Sequence, residues 1–380
     1  MDRRNFLKIV GISTATGAAT LYGCKPKPKT GAASGELGPI PTDKMTYRSF
    51  PSLHNDKVSI LGYGCMRWPT IPNPEGEGDI IDQDAVNELV DYAIAHGVNY
   101  FDTAPVYVQG WSEKSTGIAL KRHPRESVFI ATKLSNFSNP TRENSMAMYH
   151  RSFKELQVDY IDYYLLHSLG GGGMDNFCRR YIDNGMLDFL LEERKAGRIR
   201  HLGFSFHGTQ EVFDELLALH EQYHWDFVQI QLNWLDWTLQ DAKAKVELLN
   251  ERNIPIWVME PVRGGKLAHL SDAVEKTMRA LRPEESTAAW AFRWLQQYPN
   301  VKVILSGMSN MEQVEDNCAT MTNFAPLTND DHAVLAKAIA AYNRAGTIPC
   351  TACRYCTEGC PVNIRIPDLF SVLNSKRKYQ

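Results

Sequence analysis

Two periods of apolar residues alternate along most of the chain. Strand-like runs start with KVSILGYG and end near Thr103, Lys133, His167, Ser205, Gln231, Met259 and Ser306. Between them lie stretches with helical spacing, such as DAVNELVDYAIAHGV, where Val86, Leu89, Val90, Ala93 and Ile94 share a face before Gly97 stops the turn. Strands alternating with helices predict a parallel sheet, and eight such units favour closure into an α/β (β/α)8 TIM barrel over an open doubly wound sheet. The early GYGCMRW lacks the three-glycine pattern that an open nucleotide-binding sheet needs. Gly170 to Gly173 read most simply as a flexible loop on the rim.

The length of 380 residues holds one barrel of about 250 residues with extensions at both ends. A hydrophobic content of 43% fills a sizeable core, and a net charge of -3 without a basic stripe argues against nucleic acid as a partner. Beyond the N-terminus no apolar run is long enough to span a bilayer.

The expected organisation is a signal over residues 1–24, a flexible linker over 25–45, the barrel over 46–325 and a C-terminal segment over 326–380. Adjacent Arg3 and Arg4, then Phe6, Leu7 and Lys8, lead into a Gly- and Ala-rich apolar stretch, which reads as a twin-arginine export signal. LYGC ending at Cys24 resembles a lipoprotein processing box, although Tyr22 is bulkier than usual there. Simple cleavage, an uncleaved anchor and a plain basic tail are the alternatives. The Pro-, Lys- and Gly-rich stretch that follows reads as a tether. The expected location is the periplasm or a membrane surface, with the membrane touched only through this N-terminal anchor.

Asp102, Tyr107, Lys133 and His167 fall at or just after the ends of successive strand-like runs, where a parallel barrel gathers its chemistry. A Tyr hydroxyl, with a free pKa of about 10, needs a cation beside it to act near neutrality, which a Lys supplies. An Asp holds that Lys, and a His orients the substrate oxygen. Singly, each residue also fits a structural role as turn cap, half-buried loop residue, solvated strand end or core histidine. Jointly they suit protonation of a carbonyl oxygen.

NYFDTAPVYVQGWSEKSTGIAL, SVFIATK, YIDYYLLH and IRHLGFSFHG together resemble the aldo-keto reductase family from about Lys57 to Phe324. The resemblance implies that the chain binds a nicotinamide cofactor, NAD(P)H, and reduces aldehydes or ketones. It makes Tyr107 the general acid, Lys133 and Asp102 its tuning pair, and His167 the residue that positions the carbonyl. It also implies nicotinamide contacts from Ser205, Gln229 and Met259, and adenosine-phosphate contacts from Gly307, Ser309, Asn310, Gln313, Asp316 and Asn317. Phe206 replaces the usual Asn, and Met259 a frequent aromatic. No Arg or Lys for a 2'-phosphate stands in LSGMSNMEQVEDN, which leaves NADH as plausible as NADPH.

Cys350, Cys353, Cys356 and Cys360 before Pro361 form C-x2-C-x2-C-x3-C-P, the bacterial ferredoxin spacing, and predict a 4Fe-4S cluster. Only one such run is present, so Cys360 must close the same cluster, or Cys178 or Cys318 replaces it. Zinc and disulfides are the other readings. Cys65, Cys178 and Cys318 otherwise read as ordinary buried thiols.

The sequence therefore predicts an exported oxidoreductase acting on a small carbonyl compound, sugar-derived or otherwise, with an iron-sulfur extension for which a redox partner is one reading. One alternative is an electron-transfer or iron-sulfur protein on a reductase-like barrel. Another is a carbohydrate-binding barrel using Trp68, Trp111 and Trp234.

Overall fold

The computed structural model describes residues 45–378 apart from 326, 345, 347, 349, 351–354, 359 and 363. The expected signal, Cys24 and Cys353 lie outside the described residues. Eight parallel strands close on themselves in sequence order. They are β1 (Leu61–Gly64), β2 (Tyr100–Asp102), β3 (Phe129–Leu134), β4 (Ile161–Leu169), β5 (Ile199–Phe206), β6 (Phe227–Gln231), β7 (Ile256–Met259) and β8 (Val301–Ser306). Each is followed by a barrel helix: α1 (Gln83–Ala95), α2 (Ser112–Leu120), α3 (Arg142–Leu156), α4 (Met186–Lys195), α5 (Gln210–Ala218), α6 (Ala242–Glu251), α7 (Thr287–Gln296) and α8 (Met311–Thr322).

The predicted barrel is thus observed, with two differences. KVSILGYG is not one strand. Val58–Ser59 pairs antiparallel with Tyr47–Arg48, and only Leu61–Gly64 enters the barrel. The resulting hairpin sits at the N-terminal mouth, where Leu53 and Val58 join Tyr100, Phe129, Tyr163, Phe227, Trp257 and Val303 in the barrel interior. Met45, expected in the tether, is buried in the outer core.

Most of the helices bury one face against the sheet, whereas α7 is buried on all sides from Ala289 to Gln296. In α1 that face is Val86, Leu89, Val90 and Ala93, and Asp82 caps the start by accepting the Ala85 N–H at 3.1 Å, a contact worth about 1 kcal/mol. A further helix, α9 (Asn329–Arg344), precedes the cysteine segment. Its Tyr342 hydroxyl accepts a hydrogen bond from Arg263 at 3.1 Å, and Lys266 Nζ donates to the Cys350 carbonyl. The C-terminal segment is therefore fastened to the loop that follows β7. Among the described residues no helix is long and apolar enough to cross a membrane.

Candidate active site

The strand ends bring the four candidate residues into one cluster. Lys133 ends in the barrel wall with no exposure, donating to the Asp102 carboxylate and, at 2.8 Å, to the Thr103 carbonyl. Its ammonium lies 4.9 Å from the centre of the Tyr107 ring. The His167 ring meets Tyr107 edge-on, with centroids 5.7 Å apart. Tyr107 is held by a turn in which Val108, Gln109 and Gly110 all take positive φ, at 49°, 55° and 90°. Such backbone is costly for the two non-glycine residues and persists where its surroundings fix it. The turn is moored by the Ser112 hydroxyl, which donates to the Cys65 carbonyl at 2.8 Å and lies the same distance from Thr103 Oγ1.

Burial pushes the Asp102 carboxyl above its ordinary range, and the Lys133 ammonium pulls it back only in part. Burial, then the charges of Lys133 and Arg180, hold the His167 imidazole well below its ordinary value, so it is neutral. The Ser135 hydroxyl lies 2.5 Å from His167 Nδ1. If the hydroxyl donates there, the ring proton sits on Nε2.

Asp102 and Tyr107 form part of the wall of a cavity of about 380 Å³, a size suited to a small-molecule site. Gln229, Met259, Gly307, Ser309, Gln313, Asp316 and Asn317 line it as expected. Ser205 and Asn310 do not. The Ser205 hydroxyl instead accepts the Ser168 N–H at 2.8 Å, and Asn310 caps α8 by accepting the Gln313 N–H at 3.0 Å. Asp316 accepts from the Ser286 hydroxyl at 2.7 Å, and burial pushes its carboxyl up.

Two buried oxygens on the cavity wall, Asp102 Oδ2 and Gln229 Oε1, have no hydrogen-bond partner among the described residues. Buried polar atoms in native folds are nearly always paired, so these two mark where a bound molecule would complete the set. The backbone is also stripped there. A Cβ on Gly64 would lie 3.3 Å from the Ser306 carbonyl, and one on Gly307 would lie 3.1 Å from the Arg67 side chain.

Several cavity residues carried no signal in the sequence. Arg67 reaches from the turn after β1 across Gly307, so a cation does stand at this end although LSGMSNMEQVEDN contains none. His207 and Glu260 also line the wall, and burial pushes the His207 imidazole down to about 4. Gly170 is not merely loop. A Cβ there would come within 2.7 Å of Gly208, so the rim depends on both glycines.

The other readings fare unequally. Trp68 and Trp234 are buried, the first donating to Thr116 Oγ1 at 3.1 Å, and only Trp111 is exposed, which removes the aromatic platform that a sugar-binding rim needs. Cys65 and Cys318 are buried as expected, whereas Cys178 is half-buried. Of the cysteine run, Cys356 is exposed and Cys350 and Cys360 are partly buried. Among the described residues no three Cys, His, Asp or Glu side chains converge as a metal-binding group.

A closed parallel barrel with a Tyr, a buried Lys–Asp pair and a neutral His beside a cavity at the strand ends defines an oxidoreductase site of the carbonyl-reducing type. The sequence profile described as Aldo/keto reductase family matches residues 61–340. The chain therefore belongs to the aldo/keto reductase family, a class of NAD(P)-dependent oxidoreductases.

Among its relatives, a soybean protein named probable aldo-keto reductase 1 is 31% identical over 218 residues, 55% of this chain and 57% of that protein. The NADH-specific methylglyoxal reductase of Escherichia coli is 25% identical over 70% of this chain and 90% of its own length. L-galactose dehydrogenase of Arabidopsis thaliana is 23% identical over 72% and 88%. The fold is that of the aldo-keto reductase AKR11C1 from Bacillus halodurans, with a TM-score of 0.60 and 23% identity over 77% of this chain and 96% of that one.

Proposed function

We propose that the protein reduces a small aldehyde or ketone to the alcohol with a nicotinamide cofactor, and that Tyr107 delivers the proton. The observation that carries this reading is the convergence of Tyr107, the Lys133–Asp102 pair and neutral His167 beside a cavity whose wall leaves Gln229 Oε1 and Asp102 Oδ2 unsatisfied. A nicotinamide cofactor fits that wall. Gln229 offers an amide, Met259 a polarizable side chain for a ring, and Gly64 and Gly307 bare backbone. When bound, it supplies the hydride to the carbonyl carbon.

The protein's own part is proton delivery and orientation. The Tyr107 hydroxyl gives its proton to the carbonyl oxygen, and the ammonium beside the ring stabilises the phenolate left behind. Asp102 and the Thr103 carbonyl hold Lys133 in the barrel wall. His167, being neutral, donates an N–H to the same oxygen without competing for its proton. Arg67 offers a cation for phosphate, which suits NADPH and the diphosphate of NADH alike. The relatives' named substrates point to small α-oxo aldehydes and sugar-derived carbonyls.

The Arg3-Arg4 pair, the apolar stretch behind it and LYGC support export by the twin-arginine route with tethering at Cys24. The spacing of Cys350, Cys353, Cys356 and Cys360 supports a 4Fe-4S cluster that exchanges electrons with a redox partner. One contact adds to it, the Ile364 N–H donating to Cys360 Sγ at 3.3 Å. Among the described residues no three thiols converge, and the proposed reduction uses Tyr107, Lys133, Asp102 and His167 alone.

The test is anaerobic purification, identification of released small molecules, and titration with NADH and NADPH followed by turnover of methylglyoxal and aldoses. Tyr107→Phe should keep nucleotide binding and lose turnover. Cluster-loaded protein that binds neither nucleotide would instead favour the electron carrier.

A further inference from the structure

The ladder between β4 and β5 runs to Leu166 and resumes at Leu169 opposite Phe206, so His167 and Ser168 form a bulge in the barrel wall. Ser168 is driven to a φ of 52°. All four backbone polar groups of these two residues are taken by side chains. The His167 N–H donates to the Tyr181 hydroxyl at 3.1 Å, and the Ser168 N–H to the Ser205 hydroxyl at 2.8 Å. Both carbonyls accept from the Arg180 guanidinium, at 2.7 Å for His167 and 3.3 Å for Ser168.

Arg180 belongs to a single π-helical turn, Cys178–Ile182, a rare element that tends to mark functional positions. It is 1% exposed. Its Nε donates to Asn136 Oδ1 at 3.2 Å, while the Asn136 amide donates back to the Arg180 carbonyl at 2.9 Å. Its Nη2 also donates to the Tyr181 hydroxyl at 2.7 Å, which in turn donates to the Leu134 carbonyl at 3.0 Å. The rings of Phe137 and Tyr181 lie 4.6 Å and 4.9 Å from the guanidinium carbon. Among the described residues it has no carboxylate partner. A buried cation without a counter-ion is expensive, and bulge carbonyls alone do not require one.

We propose that Arg180 is a positioning residue for His167, clamping the bulge that presents the imidazole to Tyr107 and acting on the ring through its uncompensated charge. The groups that face His167 are Lys133 and Ser135 from β3 and the turn after it, Tyr107 from the turn after β2, Arg180 and Tyr181 from the π-turn, and His207 after β5. The Asp102 carboxylate is engaged by Lys133. Removing Arg180 therefore takes away one of two full cations near the ring and leaves no nearby anion free to be unmasked. The imidazole then protonates at higher pH, and its N–H donor role gives way to an acid that competes with Tyr107.

The kinetic arm rests on the reductase reading. Full-length wild type, Arg180→Met and Arg180→Lys are compared for methylglyoxal reduction with NADH and NADPH across pH 5 to 8, with thermal melting as a control. Arg180→Met should lower kcat about 10- to 100-fold, as a misplaced catalytic group does, with nucleotide Kd within about twofold. It should also gain an acid limb within this pH range, below the free imidazole value of about 6.5 because burial and Lys133 still act on the ring, where wild type stays flat. Arg180→Lys should restore the flat profile and part of the rate. Tyr181→Phe removes the acceptor of the His167 N–H but keeps the charge, so its rate should fall without an acid limb.

A folded Arg180→Met enzyme with the wild-type pH profile overturns the proposal. So does Arg180→Lys behaving like Met. If Arg180→Met does not fold, Arg180→Lys against Tyr181→Phe decides between charge and packing. Wild type that reduces no carbonyl would defeat the reductase reading instead. In that case the imidazole 15N shifts of His167, followed against pH in wild type and Arg180→Lys or Met, still decide this one, with an unchanged titration overturning it.

Discussion

Both mouths of the barrel carry buried charge, but only at one of them is every carboxylate oxygen paired, although Arg125 Nε is left over there. At the N-terminal mouth, Asp162 accepts from Arg125 at 2.6 Å, from Arg200 at 3.1 Å and from the Ile130 N–H at 2.9 Å. Asp56 there accepts from Arg200 at 3.0 Å, from Tyr163 at 3.2 Å and lies 3.0 Å from His201 Nε2. At the C-terminal mouth, Asp102 uses one oxygen on Lys133 and leaves the other unpaired, and the Gln229 amide oxygen on the same cavity wall has no partner among the described residues. Ions at the first mouth finish the fold, while those at the second wait for a ligand. A carboxylate with both oxygens paired contributes to stability, and one with an open oxygen facing a cavity signals function.

The sharpest way to break this contrast is to change one residue at each end. Tyr107→Phe should cut kcat for carbonyl reduction by about 10²- to 10⁴-fold, the usual worth of a general acid, and leave the melting temperature nearly unchanged. Asp162→Ala should do the reverse. It leaves the Ile130 N–H without its acceptor and takes one acceptor each from Arg125 and Arg200, costing about 1–3 kcal/mol of stability, with kcat/KM close to wild type. Chemical denaturation and steady-state kinetics on both variants would check the pair. Comparable losses of rate from both would dissolve the distinction between the two mouths.

The same contrast extends to pH. Burial raises the Asp56 carboxyl, but His201, Arg200 and Tyr163 outweigh it and hold the group below its ordinary value. A folded-state pKa below the unfolded one means a contribution complete above about pH 4 and lost as pH falls through the folded value. Asp56→Asn should therefore flatten the fall in stability below about pH 4. Activity should behave differently. His167 is held well below the ordinary imidazole value and His207 at about 4, so neither gains a proton between about pH 6 and 7, and kcat/KM should show no histidine limb there.

What the sequence revealed divides along similar lines. The barrel was legible because strand and helix periods alternate without a break, and so were Asp102, Lys133 and His167, because each sits at or beside a strand end. Arg180, Tyr181 and Ser135 were not, because they act through hydrogen bonds to a bulge, and nothing in YIDYYLLHSL shows that the ladder breaks at His167. The engagement of Ser205 was not legible for the same reason, since it is the bulge that its hydroxyl meets. Trp68 and Trp234 looked like rim residues because position in sequence does not report burial. The cysteine spacing remains a sequence argument, with Cys353 outside the described residues.

Arg67 offers the smallest and most specific test. Its charge comes from the turn after β1, about 240 positions before Gly307 in the chain, so no local pattern could have paired them. The side chain is exposed, and water screens what it contributes, so Arg67→Gln should weaken NADPH by about 2- to 5-fold, in line with a single solvent-exposed charge contact. NADH should lose less if the guanidinium meets a 2'-phosphate, and equally if it meets the diphosphate that both cofactors share. The difference should shrink as salt rises from 50 to 500 mM, because screening falls on the charged contact and not on Gln229 or Met259. Fluorescence titration of both nucleotides with wild type and Arg67→Gln separates these cases. Unchanged affinity for both would show that the cavity holds its phosphates through backbone and helix α8 alone, leaving Arg67 to cover Gly307.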